Sequence, residues 1–208
     1  QRQLAKAVNF GLIYGQCARG LQRCAQASYG VEFTLDEAQH ARRRFFEAYP
    51  GVAAWQHRQC ERARRGEELV TPAGRVAHHL HAAWLEMATD PRTGPALRCM
   101  TCEALNFPVQ GGAAEIMLAC LERLHSRLAP LRARCRLVCV VHDEFLLECA
   151  DVATAKAAAE SLHRSMLEAW SCVFPMAVPL DGRGAHIAVG QNWSELEAWP
   201  GPSGESTK

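Results

Sequence analysis

A chain of 208 residues, 49% hydrophobic and 22% charged, is long enough to bury a core and too apolar for a disordered segment. Its formal net charge of +1 excludes a protein that holds nucleic acid by bulk charge alone. No apolar run long enough to cross a bilayer and no secretory signal is legible, so a cytoplasmic protein without a membrane partner is expected.

The opening residues, QRQLAKAVNFGLIYG, read as an amphipathic helix entered without a cap, as expected of a segment cut from a longer chain. A second helix is expected over about 17–28, stopping at Tyr29-Gly30. Thr34-Leu35-Asp36-Glu37 is a capping box that starts a helix running to about residue 48, with Pro50 beyond it. Another helix covers about 51–65 and ends in the Arg-rich ERARRGEE. Residues 66–96 are mixed, with Thr71-Pro72-Ala73-Gly74-Arg75 as a turn and Pro91 to Pro95 as a linker. A helix over about 97–106 is interrupted at Pro108 and resumes at 111–128. Two apolar runs, 137–141 and 145–149, flank the polar residues His142, Asp143 and Glu144 and predict strand, tight turn, strand. An Ala-rich helix at 151–169 and a last strand within 176–189 follow, and the polar tail from Pro200 is expected to be disordered. The fold class is α+β.

Ten cysteines are spread along the chain, mostly in apolar segments, and read as small buried hydrophobes rather than disulfides. Cys99 and Cys102 have C-x2-C spacing, but a zinc site needs four ligands and only His78, His79 and His81 stand near; free core thiols are the expected reading. Basic residues gather at 2–23, 42–44 and 58–75, which fits either a phosphate-tracking surface or solvated helix faces.

Three constellations carry chemistry. Arg2, Lys6, Phe10 and Tyr14 recur every four residues and so share one slowly drifting helical stripe. Two cations followed by two rings suit a ligand with a polyanionic end and a flat end, as in a nucleoside triphosphate. A helix with buried aromatics and snorkelling cations fits the same spacing. Asp143 and Glu144, adjacent at a hairpin tip, repel one another, and a divalent cation such as Mg2+ relieves this; an ordinary acidic turn is the other reading. Asn106 and Gln110 form an amide pair four apart, suited to the sequence-tolerant acceptors of a DNA minor groove or simply to helix capping.

Taken together these residues resemble the family A DNA polymerases. Gln1 to Gly15 is similar to that family's fingers helix, with its pattern Arg-x3-Lys-x3-Phe/Tyr-x3-Tyr-Gly. VVHDE resembles its palm motif bearing a catalytic carboxylate, and NFPVQGGAAE its primer-template-contacting helix. FFEAYPGVAAW, TPAGR and VGQNW match the family's layout, and the resemblance extends to about residue 198.

The resemblance implies a helical fingers subdomain over 1–93, a partial palm over 94–200 with a small antiparallel sheet and packed helices, and a disordered tail over 201–208. It implies that Arg2 and Lys6 hold the triphosphate of an incoming deoxynucleotide, that Phe10 packs on its sugar and base, and that Tyr14 stacks at the templating position. Phe at residue 10, where some relatives have Tyr, implies discrimination against sugars lacking the 3′-hydroxyl. Asn106, Gln110 and His142 are implied to touch the duplex near the primer end, and Arg75 the template backbone. Asp143 is implied to ligate Mg2+, with Glu144 supporting it. The implied partners are primer-template DNA, deoxynucleoside triphosphates and an upstream part of the same chain, in a monomeric enzyme.

Two departures stand out. The family's other palm motif, an Asp followed by Tyr-Ser-x-x-Glu, is absent, so a two-metal site would lack half of its ligands and the chain alone is expected to be inactive. Cys102 stands where relatives usually have Arg. The rival expectations are a truncated remnant that binds nucleotide or DNA without chemistry, and a helical metal-binding protein using Cys99 and Cys102.

Overall fold

Capping chemistry sets the boundaries of the first four helices in the computed structural model, which describes residues 2–78, 94–176, 180, 185–199 and 201, with 94–100 as backbone only. Helix α1 spans Arg2–Ile13 and α2 spans Ala18–Tyr29. Gly30, in the left-handed region at φ 63°, closes α2: its N–H donates to the Gln26 carbonyl and that of Val31 to Ala25. Helix α3, Leu35–Ala48, opens with the expected capping box, in which the Thr34 hydroxyl accepts the Glu37 N–H and the Glu37 carboxylate accepts the Thr34 N–H at 2.8 Å. Helix α4, Pro50–Arg64, carries proline at its first position, where a missing N–H breaks no intrahelical bond.

Helix α5, Gly94–Arg127, runs without a break through Pro108. This corrects the expected interruption. Proline leaves the Ala104 carbonyl without its i+4 donor, but the hydrogen bonds on either side of that position are enough to carry the helix through. The expectation that no segment has the length and apolarity of a membrane span is also corrected, because Thr101–Arg127 meets both by length and composition. The same stretch supplies buried core side chains, Ala104 and Leu105 before Gly111 and Cys120 and Leu124 after it.

The chain forms two compact units, Gln1–Gly111 and Gly112–Lys208. In the first, α1, α2 and α3 pack around Leu12, Leu21, Ala38 and Phe45. The aliphatic and aromatic spacing on each helix buries one stripe and leaves the other wet. In the second, strands β1 (Cys135–Val141) and β2 (Glu144–Cys149) form an antiparallel hairpin against α6 (Val152–Val173). Cys120, Leu124, Leu128, Cys135, Ala158, Leu162 and Ala169 make its core. The register pairs Cys135 with Cys149 and Val141 with Glu144, with a shift between Leu137 and Cys139.

Of the expected last strand, Ala188–Gly190 is β3, and it pairs with a further strand, β4, at Leu196–Ala198, which the sequence reading did not include. Residues 175–176 form a turn, while 177–179 and 181–184 lie outside the described residues, as do 79–93 with most of the expected linker and most of the tail.

The cysteines divide. Cys120 and Cys135 are buried, whereas Cys17 and Cys172 are exposed, against the expectation for a core thiol. Cys17 precedes the first residue of α2 in extended backbone, and Cys172 lies on the exposed face of α6, where apolar neighbours in sequence do not share one face. All described cysteines are free thiols. The Cys149 and Cys135 sulfurs touch at 3.5 Å, and burial, with that contact, pushes the Cys149 thiol up to about 12, so Cys149 stays protonated near neutral pH.

Asp151 caps α6. Its carboxylate accepts the Thr154 N–H at 2.7 Å and pairs with Arg134, and these contacts, the backbone bond first, hold it at about 2 against an ordinary 3.8. A depressed folded-state value stabilises the fold fully above about pH 4 and is lost as pH falls through about 2. Asp151→Ala is therefore expected to lower the melting temperature at pH 7, with the gap to the parent chain closing between about pH 4 and pH 2. A thermal melt series over that range measures it, and a gap independent of pH contradicts the assignment.

Candidate functional site

The residues of α1 divide by exposure as the four-residue spacing requires. Ala7, Gly11 and Leu12 are buried, while Arg2 and Lys6 are exposed and Phe10 is 50% exposed. Neither cation has an ion-pair partner among the described residues. The aromatics are thus not a buried face with snorkelling cations. A half-exposed Phe ring one turn beyond a free ammonium leaves apolar area in water that a flat ligand can cover.

The far end of α1 is tightly built. Tyr14 donates its N–H to the Phe10 carbonyl, Gly15 donates to Leu12 at 3.1 Å and Gln16 to Gly11 at 2.9 Å, which together form a Schellman closure. Gly15 takes φ 79°, and a Cβ there would stand 2.6 Å from a methyl of Leu105 on α5, so only glycine fits. Gln56 on α4 donates through Nε2 to the Leu12 carbonyl at 2.6 Å and the Ile13 carbonyl at 2.9 Å.

Helix α5 contributes the amide pair. Because it continues through Pro108, Asn106 and Gln110 do share one exposed face, one turn apart. The Gln110 amide donates to the Tyr14 hydroxyl at 2.6 Å, joining the end of the α1 stripe to the pair across 96 positions of sequence. Gly111 lets α5 approach Thr71, where a Cβ would lie 2.4 Å from the threonine methyl. Thr71, itself buried, orders the Thr71–Arg75 turn: its hydroxyl accepts the Arg75 N–H at 2.9 Å, and Gly74 takes φ 92°. Arg75 is exposed on that turn, between the bridge partners Val70 and Val76.

In the second unit, His142 and Asp143 form the two-residue turn between β1 and β2, and Glu144 is the first residue of β2 rather than part of the turn. All three side chains are exposed. His142 holds φ 55°, a left-handed conformation that a two-residue hairpin demands of its first central residue and that costs a non-glycine residue about 1–2 kcal/mol. Asp143 and Glu144 have no ion-pair partner among the described residues. Two adjacent, solvated carboxylates are a hard-oxygen donor set of the kind that takes Mg2+ together with waters and phosphate.

Sequence reasoning found the stripe, the amide pair and the carboxylates. It missed Gln56, Leu105 and the Thr71–Gly111 approach. The available signal for Gln56 was an amide on the side of α4 that also carries the half-buried Val52, Ala53, Gln59 and Cys60. For the glycines the signal was their presence at a helix end and after Pro108. Of the residues considered as zinc ligands, the Cys99 side chain, His79 and His81 lie outside the described residues; Cys102 is half-buried and His78 exposed.

Gly15→Ala is expected to destabilise the chain by about 2 kcal/mol or more, combining a left-handed φ with a clash against Leu105. Urea denaturation measures this, and an unchanged midpoint contradicts the described packing.

The family model for DNA polymerase family A matches residues 1–195. DNA polymerase I of Aquifex aeolicus is 30% identical over 195 residues, covering 94% of this chain and 30% of that protein. The thermostable DNA polymerase I of Thermus aquaticus is 33% identical over 192 residues, covering 92% of this chain and 20% of that one. Among solved structures, the POL domain of Pol1 from M. smegmatis in complex with DNA primer-template and dNTP aligns with a TM-score of 0.66 at 24% identity, over 81% of this chain and 27% of that one. The chain thus spans about a third or less of the length of these relatives.

Proposed function

The chain belongs to DNA polymerase family A, and from that premise we propose that it serves template-directed DNA synthesis, the transfer of a deoxynucleotide from a triphosphate to a primer 3′-hydroxyl. The observation that carries this reading is the exposed stripe of α1, two cations without an ion-pair partner among the described residues, followed by a half-exposed ring and a tyrosine bonded to Gln110. The M. smegmatis neighbour, described with primer-template and dNTP, supports the same partners.

In the proposed reaction the primer 3′-oxygen attacks the α-phosphorus, a new P–O bond forms, and pyrophosphate leaves with the electrons of the broken bridge. Little covalent chemistry falls to the protein, so its work is positioning and charge compensation. Arg2 and Lys6 hold the phosphates by charge-assisted hydrogen bonds. Phe10 packs on the sugar and base, and Tyr14 occupies the templating position until its bond to Gln110 is exchanged for a base. Asn106 and Gln110 donate to minor-groove acceptors that every base pair offers. Arg75 lies on the template backbone, and His142 supports the primer end. Asp143 would hold Mg2+, with Glu144 adjacent; the ion, when bound, supplies positive charge against the phosphates. The boundary between a fingers part over 1–93 and a palm part over 94–200 belongs to the same proposal.

Asp143 and Glu144 are the only carboxylates that the family resemblance places in the site. The 208-residue polypeptide by itself is therefore proposed to bind nucleotide without extending a primer.

In a polymerase containing this segment, Lys6→Ala is expected to lower kcat/KM for dNTP by about 10²-fold, the scale of a lost charge-assisted phosphate contact. Steady-state primer extension measures it, and an unchanged specificity constant contradicts the assignment. Extension by the isolated 208-residue chain would overturn the proposal that it binds only.

A further inference from the structure

We propose that Gln56 is a positioning residue of the α1 site: it pins the C-terminal end of α1 to α4 and fixes the pivot from which Arg2, Lys6, Phe10 and Tyr14 are presented. The inference rests on the reading of α1 as the triphosphate-gripping helix. Three observations carry it.

The first is the fate of the last carbonyls of α1. A helix leaves its final four carbonyls without intrahelical donors. The Schellman closure satisfies Gly11 from Gln16 and Leu12 from Gly15. The Ile13 carbonyl receives its bond from Gln56 at 2.9 Å, and the same amide reaches Leu12 at 2.6 Å. An uncharged NH2 group with two hydrogens can serve both acceptors at once. It does so at the negative pole of the helix, where a donor is favoured.

The second is the gradient of burial along α1. Residues 2–6 are all exposed, whereas Gly11 and Leu12 are buried. The helix is therefore anchored in the core toward its C-terminal end and exposed over the residues that include Arg2 and Lys6. A small rotation at the held end is amplified along about 1.5 Å of rise per residue toward those cations. The third is the contrast with two other holds at that end: Leu105 meets Gly15 by steric contact, and Gln110 donates to the Tyr14 side chain rather than to the backbone. Gln56, by contrast, grips the α1 backbone itself from another helix.

The test uses the 208-residue chain. Gln56→Met keeps the side-chain length and removes both donors, and Gln56→Lys restores a donor to the same carbonyls. Amide hydrogen exchange is followed at Tyr14, Gly15 and Gln16, with α6 amides as the internal reference, and dATP affinity with Mg2+ is measured by equilibrium dialysis. In Gln56→Met, exchange at those three amides is expected to rise about tenfold with α6 unchanged. The dATP affinity is expected to fall about three- to tenfold, because a smaller fraction of molecules presents the stripe correctly. Gln56→Lys is expected to recover both. Unchanged exchange in Gln56→Met overturns the anchor, and raised exchange with unchanged affinity overturns its positioning role. Failure of the unaltered chain to bind dATP, with exchange still raised in Gln56→Met, defeats the triphosphate reading of α1 and leaves the anchor standing.

Discussion

The closure of α1 at Gly15 is the constraint on which the presentation of the site depends. A left-handed glycine turns the chain, two backbone N–H groups double back onto the last turn, and the Gln56 amide donates to the Leu12 and Ile13 carbonyls there. A buried unpaired carbonyl costs about 1–3 kcal/mol, so the end of the helix has one stable arrangement rather than several. The rest of α1 follows from it. With Leu12 locked in the core and Gly11 against Gln16 and Leu21, the face bearing Arg2, Lys6 and Phe10 is turned outward by helical geometry alone.

Leaving Phe10 half in water forfeits part of the roughly 1.5–3 kcal/mol that full burial of such a ring provides. A nucleoside stacked there, as proposed, would cover that apolar area. The hairpin in the second unit shows the same logic. Leu137 and Leu147 face each other across paired strands, Asp151 and Arg134 tie the start of α6 to the start of β1, and the turn they support holds His142 in a backbone conformation it does not favour. That conformation follows from the two-residue turn and leaves Asp143 in the turn and Glu144 at the start of β2, both exposed.

Much of this was legible in the residues. The capping box at Thr34, the glycine stop at Gly30, the strand-turn-strand reading around Asp143 and the four-residue stripe each rest on local chemistry that the sequence states directly. The failures have a common cause. Pro108 reads as a helix breaker, yet the helix continues, because the neighbouring turns of α5 outweigh one lost bond. Gln56 lies 43 and 44 positions from its acceptors, and no local pattern announces so distant a partner. The short strand β4 follows from pairing with β3, since three residues, Leu-Glu-Ala, carry no strand signal of their own. The exposed thiols Cys17, just before α2, and Cys172, on α6, show that an apolar neighbourhood in sequence does not fix whether a residue is buried.

The central claim is that the outward face of α1 receives a triphosphate nucleotide. Photo-crosslinking with 8-azido-dATP in the presence of Mg2+, followed by peptide mapping, tests it most directly. The account predicts adducts within Arg2–Tyr14 that unlabelled dATP competes away. Adducts confined to another element, or labelling that unlabelled dATP does not reduce, would contradict it.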